Sequence, residues 1–216
     1  MKFDYNEKYF KKIYSRPLYG RYLELRNKFI KNEIEKIKTC GNFLEIGFGD
    51  GNLIKFLKDK FDVFGIDISE FAVQQIQKSY NPEHFRICDV SAQIPPFPEK
   101  FDVICAANLI EHLENPRFAL ENIFKSLNES GIFVLYLPIQ SNIFSKIAYK
   151  ILQDVPEHVF RPSLYSLSKL LEETGFKKYK EYAASFIPLA ISNKFFLSST
   201  NHYLGIWGKI KRIQQG

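Results

Sequence analysis

A glycine-rich loop between an apolar segment and a helical segment constrains this chain more than any other feature of its sequence. The loop reads Glu45-Ile46-Gly47-Phe48-Gly49-Asp50-Gly51, and an amphipathic segment starts directly after it at Asn52. Glycines let a backbone turn sharply and approach a ligand closely. The free N–H groups at the start of a helix favour negative charge. The sequence therefore predicts a strand-to-helix turn that binds a ligand.

The spacing of the three glycines narrows the class of ligand. Gly47, Gly49 and Gly51 form Gly-x-Gly-x-Gly, whereas the dinucleotide fingerprint Gly-x-Gly-x-x-Gly would need its third glycine where Asn52 stands. The Gly-Lys-Ser/Thr triplet of a Walker phosphate loop does not follow either. The loop therefore disfavours a nicotinamide dinucleotide site and excludes a Walker loop.

Strand-like and helix-like segments alternate through most of the chain. The apolar pattern predicts strands over 42–47, 61–68, 85–88, 101–107, 132–137 and 176–184, and helices over 8–38, 52–60, 70–79, 115–127, 139–160 and 163–174. This alternation is typical of an α/β fold with a doubly wound, mostly parallel sheet and helices on both faces. Residues 186–207 are apolar and aromatic without a clear period, and no element is predicted there.

Two acids follow the second and third predicted strands. Asp67 lies 20 residues after the first glycine of the loop, where a carboxylate can accept hydrogen bonds from both hydroxyls of a ribose. The alternative role for Asp67 is the N-cap of the next helix, which Ser69 can fill instead. Asp89 is placed to accept the exocyclic amine of an adenine stacked between Ile68 and Val90. Its alternative is an ordinary loop acid.

The fourth predicted strand runs into a polar segment, Asn108-Leu109-Ile110-Glu111-His112-Leu113. Together with the glycine loop, Asp67 and Asp89, this order of motifs resembles the class I S-adenosylmethionine-dependent methyltransferases. The chain is most similar to the small-molecule branch that includes the ubiquinone and menaquinone biosynthesis methyltransferases. Residues 116–120 and 131–138 extend the similarity, and residues 158–176 continue it more loosely.

The resemblance implies a Rossmann-like fold in one domain over 1–216. Residues 1–40 would form an N-terminal helical lid, 41–137 the cofactor-binding core, and 138–216 the substrate cover and the completion of the sheet. The seventh strand that is usual in the family is not obvious in the sequence. Residues 205–210 are a candidate remnant of that strand.

The resemblance also implies a cofactor, S-adenosyl-L-methionine, with S-adenosyl-L-homocysteine as its product. In this comparison the glycines of the loop lie against the methionine and ribose, Asp67 holds the ribose hydroxyls, Asp89 holds the adenine amine, and the backbone of Asn108 lies beside the methionine. Phe48 departs from the family, which usually has a small residue there, and is expected to alter the loop near the methionine. The implied cofactor-binding set is Glu45, Gly47, Phe48, Gly49, Gly51, Asp67, Ile68, Asp89, Val90 and Asn108, with Tyr14 and Arg21 closing over the cofactor from the lid.

Two histidines are candidate catalytic bases. His112 follows the fourth strand, and His158 lies in the region that resembles a substrate cover. An alcohol or phenol acceptor must lose a proton, and a positioned base contributes roughly 10²–10⁴-fold to such a step. The alternatives are that His112 caps a helix and that His158 braces its loop. Glu111 and Glu157 could orient these imidazoles or face solvent.

The aromatic residues near the C-terminus have two interpretations. Phe186, Phe195, Phe196, Tyr203 and Trp207 could line an apolar acceptor pocket. A buried core is the commoner use of such side chains and is the favoured interpretation.

Charge and cysteine content indicate which binding partners and which cellular compartment the sequence favours. The net charge of +6 is already present in residues 1–40, so residues 41–216 are neutral as a whole. A basic start suits an anionic substrate or membrane headgroups, but a solvated surface is the favoured interpretation. The three cysteines form no Cys-x-x-Cys pair, so neither a disulfide framework nor a metal site is predicted. The start of the chain lacks the apolar run of a signal peptide, which favours a cytoplasmic protein.

The sequence therefore predicts a methyltransferase that acts on a small-molecule acceptor, with an oxygen as the methylated atom. Glycan, lipid-linked, isoprenoid and phosphate-bearing acceptors all remain open, and so does the oligomeric state. A nucleic-acid partner is not expected, and peripheral membrane contact has no specific support. The alternatives are a methyltransferase of nucleic acid or protein, and a non-catalytic partner subunit that keeps the fold.

Overall fold

The computed structural model describes residues 6–8, 17–140, 158–184, 191–192 and 202–209. The helices are α1 (Pro17–Glu35), α2 (Asn52–Leu57), α3 (Glu70–Ile76), α4 (Pro116–Ser126) and α5 (Leu164–Glu173). The strands are β1 (Gly41–Ile46), β2 (Phe61–Asp67), β3 (Phe85–Ile87), β4 (Phe101–Ala107), β5 (Leu127–Pro138), β6 (Lys177–Ala184), β7 (Ile191–Ser192) and β8 (His202–Gly208). Short 3₁₀ turns cover Pro82–His84 and Ile110–His112. Tyr14, most of the predicted helix over 139–160, Glu157, Phe186, Phe195 and Phe196 lie outside the described residues.

The strands form one sheet in the order β3-β2-β1-β4-β5-β8-β6-β7. The neighbours from β3 to β5 all pair in parallel, and β8 pairs antiparallel with both β5 and β6. The prediction of a doubly wound, mostly parallel sheet is therefore confirmed. Chain order reverses between β1 and β4, and ligands bind at such a switch point, outside the carboxyl ends of the strands.

Side chains alternate between two cores, one on each face of the sheet. Leu44, Phe64 and Ile104 belong to one buried cluster, and their neighbours Phe43 and Val103 belong to the other. The first cluster is completed by α4 and α5, and the second by α1, α2 and α3. Helices therefore cover both faces, as the alternation of strands and helices predicted.

The ends of the helices follow from short-range hydrogen bonds. The Ser69 side chain accepts from the backbone N–H of Ala72 and caps α3, and Asn115 and Ser163 cap α4 and α5 in the same way. Gly175 has φ 98°, a left-handed conformation that glycine adopts readily, and it follows the end of α5. Helices α2 and α3 each end three residues before the predicted boundary.

Strand β8 is the main difference from the sequence-based expectation. The sequence suggested only a remnant over 205–210, whereas the structure has a seven-residue strand, His202–Gly208, between β5 and β6. Every residue of β8 is buried, so the segment shows no apolar–polar alternation from which a strand could be predicted. Tyr203 and Trp207 lie in the core, which confirms the favoured interpretation for those two aromatics.

No described helix is both long and apolar enough to cross a membrane.

Candidate active site

The glycine loop adopts backbone conformations that other residues rarely reach. Gly47, Gly49 and Gly51 have φ values of 70°, 57° and 68°. A Cβ atom on Gly47 would lie 2.9 Å from Leu109 Cδ1, and one on Gly51 would lie 2.7 Å from Ile76 Cδ1. The loop therefore needs glycine for its conformation at all three positions, and for space at Gly47 and Gly51.

We expect Gly47→Ala to destabilise the fold by about 1–3 kcal/mol, because the left-handed conformation alone costs a residue with a Cβ roughly 1–2 kcal/mol. Urea unfolding measures this change. Gly20→Ala is the matched control: Gly20 lies in α1, and a Cβ atom added to it would have no neighbour within 4 Å. That control should gain about 0.5–1 kcal/mol, because alanine is the better helix former. A stable Gly47→Ala protein would contradict the loop geometry.

Asp67 ties the glycine loop to the end of β2. Its Oδ2 accepts from the backbone N–H of Gly49 at 3.0 Å, and its Oδ1 accepts from the N–H of Ser69 at 2.8 Å. Burial raises the pKa of this carboxyl. Because Ser69 caps α3, the alternative of Asp67 as the N-cap is wrong. Asp67 is therefore a buried acid at the ligand edge of the sheet.

The side chain of Phe48 points into the core. It packs edge-on against Phe85, with the ring centroids 5.7 Å apart, and it occupies the space beside Gly65. A Cβ on Gly65 would lie 2.7 Å from the Phe48 ring, so this ring has room only because residue 65 of β2 has no side chain. Only the backbone of Phe48 is left for a ligand contact.

Glu45 is a buried acid at the end of β1. Burial raises the pKa of its carboxyl well above the usual range, although the nearby charge of Arg26 opposes that shift. Its Oε2 is buried and has no hydrogen-bond partner among the described residues. A buried acceptor without a partner costs about 1–3 kcal/mol, so a donor from a ligand would stabilise this site.

The predicted adenine contacts are divided between exposed and buried positions. Asp89 is exposed, and its Oδ1 accepts from both the backbone and the hydroxyl of Ser91. Ile68 is 52% exposed, whereas Val90 is only 3% exposed and belongs to the core. Val90 therefore has little surface to offer a stacked ring. Ile87, which the sequence pattern did not single out, pairs with Asp67 at the end of β3 and is 54% exposed.

Asn108 connects three elements at the carboxyl end of β4. It has φ 56°, which asparagine tolerates better than most residues, and its backbone N–H donates to the Tyr136 carbonyl at 2.8 Å. Its Oδ1 accepts from Arg26 at 2.9 Å, and its Nδ2 donates to Glu111 Oε1 at 3.0 Å. Arg21, which the resemblance places over the cofactor, is exposed on α1, and Arg26 of the same helix contacts Asn108.

A buried polar cluster that could not be predicted from the sequence lies beside Asn108. The hydroxyls of Tyr22 and Tyr136 are hydrogen-bonded to each other, and the His202 ring stacks on Tyr136 at 5.2 Å between centroids. Arg26 lies 5.6 Å from the centre of the same Tyr136 ring. Burial, with the charges of Arg26 and His158, lowers the pKa of His202 to about 3, so His202 is neutral at pH 7. The three rings come from α1, β5 and β8, which only the tertiary structure brings together.

The structure does bring the two predicted bases together. The His112 and His158 rings are 4.8 Å apart between centroids, and both side chains are half-buried. The backbone N–H of Phe160 donates to the Glu111 carbonyl at 2.9 Å and holds the segment of His158 against the 3₁₀ turn of His112. Glu111 is fully buried between them and Asn108, and burial raises the pKa of its carboxyl.

These groups share one edge of the sheet. Ile46 pairs with both Ile66 and Ala106, so these three residues lie side by side across the sheet. The glycine loop, Asp67 and Asn108 follow them within two residues. Pro138 pairs with His202, which brings the start of the antiparallel β8 to this edge as well. The edge therefore combines a left-handed glycine loop, three buried acids (Glu45, Asp67 and Glu111) and a cluster of other titratable side chains.

Comparison with known proteins identifies the class to which this site belongs. The family model described as "Methyltransferase domain" matches residues 14–181, and the chain belongs to that family. An uncharacterized methyltransferase of Alkaliphilus oremlandii is 31% identical over 172 residues, which cover 78% of this chain and 75% of that protein. The family and this relative identify the chain as a methyltransferase.

A second relative matches only part of the chain. The mRNA cap guanine-N(7) methyltransferase of Schizosaccharomyces pombe is 31% identical over 112 residues, which cover 44% of this chain and 31% of that protein. The chain thus spans about a third of the length of this relative.

Solved structures share the fold at low sequence identity. A putative methyltransferase of Haloferax volcanii, solved with the Trm112 methyltransferase activator, has a TM-score of 0.73 at 13% identity and covers 95% of this chain and 96% of its own. The N-methyltransferase NodS of Bradyrhizobium japonicum, solved with S-adenosyl-L-homocysteine, has a TM-score of 0.67 at 16% identity and covers 94% of this chain and 98% of its own. At these identities the likeness shows the fold alone.

Proposed function

We propose that this protein binds S-adenosyl-L-methionine at the carboxyl edge of β1, β2 and β4 and methylates an oxygen atom of a small-molecule acceptor. The observation that carries the proposal is the arrangement of that edge. A glycine loop tied to a buried acid lies on one side, and two neighbouring imidazoles beside a buried carboxyl lie on the other.

The residues present fit the cofactor. Glu45 has a buried carboxylate oxygen without a partner among the described residues, which an ammonium group could satisfy, and S-adenosyl-L-methionine carries such a group. We assign Asp67 to the ribose hydroxyls, Asp89 with Ile68 to the adenine, and the backbone of the glycine loop and Asn108 to the methionine. The cofactor supplies an activated methyl group, so the protein needs no covalent nucleophile.

The chain's own residues would then orient the acceptor and take its proton. Transfer requires the acceptor oxygen, the methyl carbon and the sulfur in line, with the reacting atoms about 3 Å apart, which is a task of proximity and orientation. We assign His112 and His158 to the acceptor hydroxyl, and Tyr22, Arg26 and Tyr136 to the wall beside it. An oxygen acceptor is favoured because a hydroxyl needs a nearby base, and this edge offers two.

Label transfer from S-adenosyl-L-methionine with a tritiated methyl group tests the proposal. The protein is incubated separately with small-molecule, RNA and protein fractions from cells that lack its gene, and the label in each fraction is counted. We expect label in the small-molecule fraction. If the product is a methyl ether, mild alkaline treatment will release no volatile methanol from it. Label confined to RNA or protein would overturn the small-molecule proposal.

The RNA fraction is included for a specific reason. The mRNA cap relative acts on a nucleic acid, although its match covers less than half of this chain. Binding to RNA that weakens steeply as salt rises would support that alternative, because phosphate contacts release counterions.

Once an acceptor is known, the two histidines can be tested as bases. We expect one of the two variants His112→Gln and His158→Gln, the one that removes the base, to lower kcat by roughly 10²-fold. This is the lower end of the range for loss of a general base. The dissociation constant for S-adenosyl-L-methionine, measured by calorimetry, should stay within about twofold, since neither residue is assigned to the cofactor. If both variants keep full kcat, the chain does not use these imidazoles as bases.

A further inference from the structure

Three side chains at the edge of the sheet are close enough to share one ion. Glu111, His112 and His158 each offer one ligand atom, and these atoms all lie within 4.8 Å of one another. Glu111 and His112 are held by the 3₁₀ turn after β4. His158 is held next to them through the hydrogen bond from Phe160 N–H to the Glu111 carbonyl. The sequence predicted no metal site, and His112 and His158 are 46 positions apart in the chain.

The buried carboxyl of Glu111 supplies an independent indication. Glu111 is fully buried, and its Oε1 accepts from Asn108. Its Oε2 is buried and has no hydrogen-bond partner within the part of the chain that the structure describes. A carboxylate oxygen buried in this way is costly unless it is paired with a charge or coordinates a metal.

We propose that Glu111, His112 and His158 bind one divalent transition-metal ion. Two imidazole nitrogens and one carboxylate oxygen suit Zn²⁺, Co²⁺, Ni²⁺ or Fe²⁺, whereas Ca²⁺ and Mg²⁺ prefer all-oxygen ligand sets. Metal–ligand distances of about 2.0–2.2 Å place tetrahedral ligand atoms roughly 3.3 Å apart. The cluster therefore needs to contract by about 1.5 Å at most, which rotation of two half-buried imidazoles can provide.

The surroundings support the carboxylate ligand. Asn108 donates to Glu111 Oε1, and Arg26 in turn donates to Asn108 Oδ1. Such partners of a ligating side chain fix its orientation, and their loss typically lowers metal affinity by roughly 10–100-fold. The Arg26–Asn108–Glu111 chain thus orients one carboxylate oxygen and leaves the other for an ion.

The role of the ion rests on the proposed function. Three protein ligands leave at least one open position, and a cation there lowers the pKa of a hydroxyl that occupies it. With the ion bound, His112 and His158 serve as its ligands in place of the base role assigned above, so the acceptor O–H loses its proton to solvent. An oxygen–carbon bond forms and the carbon–sulfur bond breaks. The products are a methylated acceptor, S-adenosyl-L-homocysteine and one proton. The acceptor class is therefore one whose hydroxyl can ligate a transition metal.

Cobalt titration of chelator-treated full-length protein, without cofactor or acceptor, tests the site directly. We expect Co²⁺ to bind one per chain with visible d–d absorption, and Zn²⁺ to displace it. Glu111→Gln, His112→Gln and His158→Gln should each weaken binding by at least roughly 10-fold, because each removes a ligand. His84→Gln is the matched control, since His84 is an imidazole that stacks on Phe64 away from the cluster. It should bind Co²⁺ within about twofold of the parent protein.

The outcomes separate this proposal from the proposed function. Far-UV circular dichroism identifies any variant that fails to fold. If His158→Gln fails to fold, His158→Asn replaces it. No Co²⁺ absorption in the parent protein, or unchanged affinity in all three ligand variants, would overturn the metal site. Stabilisation by S-adenosyl-L-methionine is measured on the same metal-free samples. If S-adenosyl-L-methionine stabilises the protein but Co²⁺ does not bind, the metal proposal alone fails. If Co²⁺ binds but S-adenosyl-L-methionine does not stabilise the protein, the proposed function fails.

Discussion

Asp67→Ala is expected to weaken the binding of S-adenosyl-L-methionine by about 10- to 100-fold, since a hydrogen bond to a charged group contributes roughly 1.5–3 kcal/mol. Two effects add. The variant loses the carboxylate that we assign to the ribose hydroxyls, and it also releases the Gly49 and Ser69 N–H groups that Asp67 now holds. The glycine loop then loses its tether to β2.

A thermal-shift series measures this effect. The parent protein is heated with S-adenosyl-L-methionine, S-adenosyl-L-homocysteine or NAD, each at 100 times its dissociation constant where it binds. A ligand at that concentration stabilises the folded state by about 2.7 kcal/mol. We expect the two sulfur compounds alone to raise Tm. At the same concentrations they should stabilise Asp67→Ala by only about 0.4–1.4 kcal/mol.

Asp62→Ala is the control for this series. Asp62 is on the same strand, its side chain is 59% exposed, and it lies at the opposite end of β2 from the glycine loop. It should keep the full shift. If Asp67→Ala kept it as well, the ribose assignment would be wrong. If no shift appeared in the parent protein, the alternative of a non-catalytic protein with this fold would gain support.

Trp207→Ala is expected to destabilise the fold by about 3–5 kcal/mol, the usual cost of truncating a large buried aromatic. Trp207 is fully buried in β8, and its Nε1 donates to the Tyr203 hydroxyl at 3.1 Å. For a chain of this size, such a loss lowers Tm by roughly 6–20 °C. It is also a large share of a total stability of about 5–15 kcal/mol.

Urea unfolding of Trp207→Ala beside Tyr179→Ala isolates the effect of burial. Tyr179 is an aromatic residue of the neighbouring strand β6, and it is 55% exposed. Its replacement should change the free energy of unfolding by no more than about 0.5 kcal/mol, as is usual at exposed positions. Equal losses in the two variants would mean that β8 does not lie in the core between β5 and β6.

The parallel half of the fold could be predicted because its signals are local. Each strand from β1 to β4 is a short apolar run that ends in glycine or polar residues, and Ser69, Asn115 and Ser163 mark the helix starts by their own hydrogen bonds. The identity of the ligand edge followed from the same information, because parallel strands present their carboxyl ends together. These predictions needed no knowledge of contacts between distant residues.

Other parts of the site depended on contacts that the sequence pattern does not contain. Val90 was expected to stack on adenine because it neighbours Asp89, but its side chain turned out to face the core. The contact between Arg26 and Asn108 could not be predicted, because the two residues are 82 positions apart in the chain. Tyr22 lies on an amphipathic helix and Tyr136 in an apolar strand, so no local pattern indicates that their buried hydroxyls pair.

The sequence by itself determined the glycine loop, Asp67 at the end of β2 and the alternating architecture, because each depends on residues close together in the chain. The tertiary structure decided the rest. It inserted the buried strand β8 between β5 and β6, which placed His202 on Tyr136. It also packed the segment of His158 against the turn of Glu111 and His112. Such contacts form between segments far apart in the chain, where only the packing of the whole sheet fixes which side chains meet.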